Sequence, residues 1–551
     1  MKTPKTPSFH LWGIALLAMC GAALAQTSTP PATPPTTPPA AIPATPPPAS
    51  AQAARHTIPG VIVATDYRDL QAAVDAVPAP GGVIYLPPGT YKLSRPLDMT
   101  NKYNNGEKTR WIVFQGAGQM NSIITGDFPD APVIDMTGSG RVTMSDLAVS
   151  GKSKSLLLSA RRSGAGGGGN VFTNCMFRGD HVEVAIWLVG SECNRFYNTT
   201  VYVNQPNSVA VAFTPVPKFE ARGISYEIAS PYEKNMTGSS TTELRFYGSF
   251  IQSFGFNSIG LYCQGSTADI SMDGCYNANS GFASIFLDGR NANVGDSSFR
   301  SVRIEGETGL YCLYAVGAVR NVTIDSGNWG SAGEVIRYEA AKDGHAANSG
   351  AEGWSIRNSS LTIQDQSARK PESSTGALCK IPREERAILR FDRMDNFRIE
   401  NIWVRAYQIV LLDKPDEKSS LKGNKDHATV IQNAEFKAEE KLEYYNPKLV
   451  VCSDWARGNT ISTAKRDQIV FPADAQGNQV VALDDNGVRR TYLSGGTRPE
   501  VLNFDPVDVR GIKNPRAGDV SMDNGSLRGD GSPCLVFFDG RQWVPAAGKG
   551  N

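Results

Sequence analysis

A six-residue phrase recurs along this chain, and it leaves few folds open. Phe172-Thr173-Asn174-Cys175-Met176-Phe177 returns as Phe196-Tyr197-Asn198-Thr199-Thr200-Val201, Phe246-Tyr247-Gly248-Ser249-Phe250-Ile251, Phe299-Arg300-Ser301-Val302-Arg303-Ile304, Val319-Arg320-Asn321-Val322-Thr323-Ile324 and Ile356-Arg357-Asn358-Ser359-Ser360-Leu361. Apolar residues hold the first and fourth places or their neighbours, and a small or amide residue holds the third. The intervals between these copies, 24, 50, 53, 20 and 37 residues, are mostly one or two steps of about 20 to 28, as expected of a β-solenoid that lays one short strand on the next. The third-place residues Asn174, Asn198, Asn321, Asn358, Asn401 and Asn433 suit a turn, or a ladder of amides along the stack. Rungs run from about Val133 to Glu439.

A second strand repeats beside the first. Ile186-Trp187-Leu188-Val189-Gly190, Leu261-Tyr262-Cys263-Gln264-Gly265, Ile285-Phe286-Leu287-Asp288-Gly289 and Leu313-Tyr314-Ala315-Val316-Gly317 align on their glycines. Period-two alternation turns the aliphatic residues inward and Trp187, Tyr262, Phe286 and Tyr314 outward in one column. Exposed aromatic rings on a flat parallel sheet suit the C–H faces of sugar rings. Loops or another subunit covering the same rings is the competing expectation.

Before the rungs, Asp66-Tyr67-Arg68-Asp69-Leu70-Gln71-Ala72-Ala73-Val74-Asp75-Ala76 has apolar residues at helical spacing. Gly81-Gly82-Val83-Ile84-Tyr85-Leu86 then alternates like a strand and turns at Pro87-Pro88-Gly89. This helix-then-strand opening resembles that of the pectate-lyase-like superfamily. The resemblance implies an all-β fold, a right-handed single-stranded parallel β-helix whose N-terminal helix caps the open end. That superfamily holds lyases, glycoside hydrolases, epimerases and phage tailspikes, so the resemblance leaves the reaction open. Asn174-Cys175 with Gly179-Asp180 and Ile186-Trp187-Leu188 is similar to one rung of polygalacturonases. His181 stands where that family has a second aspartate, and neither its G-H-G nor its R-I-K is present.

Composition narrows the partners. With Lys+Arg 55 against Asp+Glu 54, the chain of 551 residues carries +1, and loss of a leader containing Lys2 and Lys5 leaves about −1. No basic field of the kind that gathers nucleic acid exists. The charged start, the apolar run from Leu11 to Leu24 and Ala23-Leu24-Ala25 read as a secretory signal over 1–25, too short to span a membrane. Residues 26–55, rich in Pro, Thr and Ala, read as an extended linker. The β-helix is expected over 56–458 and a small β-rich C-terminal module over 459–551. A soluble protein, secreted or periplasmic, without membrane insertion, follows. The mature chain keeps eight cysteines with no zinc-type spacing, and Cys175 and Cys275 read as buried small residues.

Four stretches are expected to leave the rungs as loops: Ser155 to Gly169, Thr214 to Ser240, Gly344 to Gly353, and Ser367 to Glu385. Acids collect at the bend between the two repeating strands. Asp180, Asp288 and Glu307 are the candidate catalytic acids, with Arg290 stabilising charge. Trp187, Tyr262, Gln264, Phe286, Tyr314 and Arg303 form the candidate substrate surface. Glu305 and Asp325, four residues beyond Ser301 and Asn321, are expected on neighbouring rungs about 4.8 Å apart, where a Ca2+ ion could join them. An equally simple reading pairs them with arginines such as Arg303. The sequence thus points to a polysaccharide partner and to its cleavage by hydrolysis or by elimination at a uronate. A non-catalytic, tailspike-like glycan-binding oligomer, for which flat β-helix sides and a β-rich tail suit a homotrimer, and an epimerase of uronic-acid polymers are the alternatives.

Overall fold

Apolar residues at every second position, interrupted by residues that tolerate positive φ, produce short strands joined by sharp corners. The computed structural model describes 60–545 apart from internal breaks, the longest being 103–110, 228–240, 341–350, 364–386, 412–428, 438–449, 511–519 and 524–533. The leader and linker expectations lie outside the described residues. The chain divides into two units, and everything below concerns the second, Thr57–Asn551.

Each coil contributes a strand to three ladders of parallel strands, giving a parallel β-helix. In the first ladder, Val171–Thr173 pairs with Arg195–Tyr197, that strand with Thr241–Tyr247, and so on. The third ladder contains Met176–Gly179, Thr200–Asn204, Phe250–Phe254, Tyr276–Ala278 and Arg303–Gly306 in pairing order. The second ladder contains Ser155–Ala160, Val184–Val189, Val209–Phe213, Ile259–Gln264, Ala283–Gly295 and Tyr311–Val319. Within a coil the chain visits the first ladder, then the third, then the second.

The recurring phrase is the corner between the first and third ladders. Its first residue points inward, so Phe172, Phe196 and Phe246 stack at 4.8 and 4.6 Å, and Met272, Phe299, Ile324 and Ile356 continue the column. Each such side chain contributes about 1.5–3 kcal/mol by leaving water. The third residue adopts positive φ in Asn174, Asn198, Ser301, Asn358 and Asn401, a conformation that asparagine tolerates better than most residues. The fourth residue ties coil to coil. Cys175 Sγ, Thr199 Oγ1 and Ser249 Oγ donate to the carbonyls of Met144, Phe172 and Phe196 in the coil before. Burial pushes the Cys175 thiol up to about 12 and that of Cys275 to about 11, so both remain protonated packing groups.

The expected capping helix is Leu70–Asp75, with Asp69 accepting from the Ala72 N–H at 2.7 Å. Gln71 reaches Leu97–Asp98 at the edge of the second ladder. Its amide donates to the Asp98 carbonyl at 3.0 Å and accepts from the Asp98 N–H at 2.8 Å. A side chain therefore supplies hydrogen bonds that a preceding strand would otherwise make at this edge.

Three expectations change. Ser155–Ala160 is a rung strand with every residue buried, because its run Leu156-Leu157-Leu158 fills both faces of the second ladder. Asn321 also has positive φ, but it stands at the entry to its first-ladder strand Val322–Asp325, while Ser326 forms the exit corner. Two positive-φ residues per coil look alike in sequence, and only pairing separates them. Parallel pairing also runs past residue 459, through Thr460–Lys465 to Asn478–Leu483, and turns antiparallel at Arg489–Ser494. Cys534–Phe538 and Trp543–Pro545 pair antiparallel, as their turn signal implies.

Of the other loops, Thr214 to Ser240 holds an antiparallel hairpin, Lys218–Ala221 with Ile224–Glu227. The stretch Gly344 to Gly353 ends in Ala351–Glu352, paired with Met394–Asp395. Ser367 to Glu385 and Asn433 lie outside the described residues. No helix among the described residues is long and apolar enough to cross a membrane.

Candidate functional site

The outward column expected on the second ladder exists. Leu158, Trp187, Ala212, Tyr262, Phe286, Tyr314, Arg337 and Arg390 follow one another in register. Its rings pack on each other, Tyr262 to Phe286 and Phe286 to Tyr314 at 5.0 Å each. The rings are not exposed, however: Trp187 is 1% accessible and Tyr262, Phe286 and Tyr314 are equally buried, in an apolar cluster separate from the helix interior. The expectation of an open sugar-stacking surface at Trp187, Tyr262, Phe286 and Tyr314 is therefore corrected. Alternation fixes the direction of a side chain, whereas exposure depends on what lies over it.

Asp288 is inside the same cluster, 0% accessible. It accepts from Arg290 Nε at 2.8 Å and Nη2 at 2.6 Å, from Tyr262 Oη at 3.0 Å and from Gln264 Nε2 at 3.4 Å. Burial works against the Arg290 charge, but the hydrogen bonds and charge of Asp288 outweigh it, so the guanidinium pKa is raised. Burial, and then the Asp288 charge, lift Tyr262 well above its ordinary value. Next along the face, Tyr314 donates to Glu339 at 2.7 Å and Arg390 to Glu334 at 2.7 Å. Asp288 is closed to solvent and ion-paired with Arg290, and its oxygens accept from Arg290, Tyr262 and Gln264.

The two carboxylates assigned to one cation part company. Glu305 lies in the third ladder, bonded to Tyr276 Oη and Arg303. Asp325 lies in the first, between Arg300 and Arg357 in register and bonded to Asn358 at 3.0 Å. Their shared distance from Ser301 and Asn321 misled, because Ser301 is an exit corner and Asn321 an entry corner. They do not form a joint Ca2+ site. Among the described residues no three His, Cys, Asp or Glu side chains gather as a metal group. Glu307 lies outside the described residues.

Asp180 is accessible and stands on the outer face of the third ladder, where the sequence reading placed no surface. There Asp127, Lys152 and Asp180 are successive members of one column, each two residues past an outward-facing rung position. The Lys152 N–H donates to Asp127 Oδ1 at 3.0 Å. These residues border a cleft of about 350 Å³ whose other walls include Met120, Ile123, Met176 and Arg178. The two aspartates are two rungs apart, about 9–10 Å along the stack. Neither Lys152 nor Arg178 forms an ion pair among the described residues.

Beyond the cleft the same face carries rings that are half-buried. Arg178 lies over Tyr202 at 5.6 Å, Tyr202 meets Phe254 at 5.6 Å, Phe250 meets Tyr276 at 5.1 Å, and Arg303 lies over Tyr276 at 5.5 Å. Burial raises the Tyr202 pKa, so the phenol stays neutral. The opening phrase carried the signal for these residues. Met176 and Arg178 flank inward Phe177, and Thr200 and Tyr202 flank inward Val201, so period two counted on that strand finds them.

The molecule is thus a parallel β-helix with one lateral face largely buried and another partly accessible. No family model matches the chain, and no curated protein does. Among solved structures it is similar to the mannuronan C-5 epimerase AlgE4 A-module of Azotobacter vinelandii, at 13% identity and TM-score 0.42 over 68% of this chain and 95% of that one. The AlgE6 A-module of the same organism matches at 14% identity and TM-score 0.43, over 77% and 99%. The Dettilon tailspike protein matches at 10% identity and TM-score 0.41, over 80% and 77%.

Proposed function

We propose that this chain is an exported enzyme that binds a polysaccharide along the outer face of the third ladder and hydrolyses it in the cleft. The observation that carries this reading is the pair Asp127 and Asp180, accessible, two rungs apart and flanking Lys152 at the mouth of an aromatic-lined face. Inverting glycosidases keep their carboxyl groups about 6.5–9.5 Å apart to leave room for the attacking water, and two rungs of stack reach the top of that range; one acid protonates the leaving oxygen and the other activates the water. Asp127, oriented by the Lys152 N–H, is the water-activating group, and Asp180 protonates the leaving oxygen. Tyr202 supplies an adjoining ring for the sugar. Lys152 and Arg178 favour a second reading, elimination at a uronate, in which a cation neutralises the substrate carboxylate and a base takes the neighbouring proton.

One assay separates these. The mature protein is incubated with neutral and uronic-acid polysaccharides while reducing ends and the absorbance of unsaturated products are followed. Hydrolysis gives reducing ends without unsaturation, and Asp127→Asn or Asp180→Asn lowers the rate by about 100-fold or more. Wild-type rates in both variants remove the assignment. Unsaturated products that vanish in Lys152→Ala establish the second reading. Binding without any product makes the chain a glycan-binding protein instead of an enzyme.

A further inference from the structure

We infer that the face beyond the cleft is a row of sugar subsites, about one per rung, ending at a distal subsite made by Tyr276, Arg303 and Glu305. The protein then selects glycans by chain length. This rests on the glycan reading above and goes further, because it assigns a second contact point remote from the reacting bond.

Spacing carries the argument. From Met176–Gly179 the third ladder passes through Thr200–Asn204, Phe250–Phe254 and Tyr276–Ala278 to Arg303–Gly306, four pairings in all. At about 4.8 Å per rung, Arg303 stands about 19 Å from Arg178 along the axis. An extended glycan advances by about one such spacing per sugar, so a chain leaving the cleft along the stack keeps step with the rungs. Tyr202, Phe254, Phe250 and Tyr276 offer partly accessible apolar rings, and Gln252 lies between them with a polar end.

Chemistry marks the last subsite. Tyr276 Oη donates to Glu305, and Arg303 both bonds Glu305 and lies over the Tyr276 ring. The cluster fixes a guanidinium donor and a carboxylate acceptor side by side next to a ring. Adjacent hydroxyls of one sugar fit that arrangement, one accepting from Arg303 and the other donating to Glu305, while a C–H face rests on the aromatic edge. Charged partners make these hydrogen bonds stronger than neutral ones. Beyond it the run of rings ends, since Asn328–Ser331 presents Asn328 and Gly330 in the same register.

A chain that fills the positions on either side of the scissile bond and one place on each of four further rungs has about six sugars. The test is a binding titration of the full mature chain with defined oligomers, from dimer to octamer, of galacturonate and of β-linked glucose, beside the parent polymers. Affinity rises with length to about the hexamer and then levels. Arg303→Gln, chosen because the side chain is 61% exposed and its loss leaves the fold intact, weakens the hexamer by about tenfold and leaves the trimer unchanged. Tyr276→Phe, which keeps the ring and loses the hydroxyl, behaves alike but more mildly. Affinity flat beyond the trimer, or equal losses for trimer and hexamer in Arg303→Gln, overturns the distal subsite while leaving the glycan reading standing. Failure of every oligomer and polymer to bind overturns the glycan reading itself.

Discussion

The second and third ladders follow one construction rule and finish with opposite outer faces. Both point every other side chain away from the helix interior, and both align aromatic rings rung upon rung. On the second ladder those rings are buried in a second core, beside a fully buried Asp288 whose partner Arg290 is partly exposed. On the third they alternate with Arg178, Gln252 and Arg303 and remain reachable. Strand composition already differs. Val184-Ala185-Ile186-Trp187-Leu188-Val189 is apolar at both parities, the mark of a parallel strand buried on two sides. Met176-Phe177-Arg178-Gly179 alternates, the mark of a strand with one wet side. An outward direction and an outer surface are separate properties, and only the second admits a ligand.

The largest test of that contrast is truncation of one ring on each face. Trp187→Ala empties a site with no access to water and lowers stability by about 3–5 kcal/mol. Tyr202→Ala removes a half-buried ring and costs about 1 kcal/mol or less, while glycan binding falls. Thermal and urea unfolding of the two variants read the difference. Equal losses from both would show that the third-ladder face is as closed as the second.

Alkaline titration probes the same contrast through its tyrosines. Tyr262 and Tyr314 have pKa values held well above the ordinary 10.0, in each case by burial first and then by Asp288 and Glu339. A raised folded-state value means that their stabilisation is intact below pH about 10 and is lost as pH climbs above it, because only the unfolded chain can ionise them easily. Tyrosinate absorbance is therefore expected in two phases, an early reversible one from accessible rings and a late one coincident with loss of the β-sheet circular dichroism. The late phase shrinks in Tyr262→Phe. A single reversible titration with the sheet signal intact would contradict a sealed second face.

The scaffold was legible in sequence to the degree that its information is local. Phe172-Thr173-Asn174-Cys175 contains an inward ring, a positive-φ corner and a donor to the coil before, and each is decided by neighbours a few residues away. The helix at Leu70–Asp75 follows from its apolar stripe, whereas its clamp from Gln71 to Asp98, 27 residues on, does not. The site was less legible, because its facts are long-range. Burial over Trp187 and Asp288 depends on what packs above them, and the neighbours of Glu305 and Asp325 depend on which of two positive-φ corners each follows. Asp180 was found for its place after a rung, but its partners Lys152 and Asp127 lie one and two coils earlier and share no motif with it.

The smallest expected effect belongs to a corner that serves the stack and neither outer face. Asn358 has φ 52°, donates to Asp325 at 3.0 Å and accepts from Asn401 at 3.1 Å. Asn358→Gly keeps the backbone comfortable and loses only these exposed hydrogen bonds. Asn358→Ala keeps a Cβ in the left-handed region without the polar side chain that lets asparagine tolerate it, at about 1–2 kcal/mol relative to glycine. The Asn358 amide, with Arg357, holds Asp325 below its ordinary 3.8, so this contribution is present above that value and fades as pH falls through the lowered one. The gap between wild type and Asn358→Gly should therefore close in acid, while the gap between the glycine and alanine variants, which reports backbone strain alone, should not change with pH. Unfolding curves at neutral and acid pH measure both gaps. Glycan binding should be equal in all three proteins, since the corner touches neither the cleft nor the aromatic run, and a binding loss here would place the ligand across the first ladder instead of along the third.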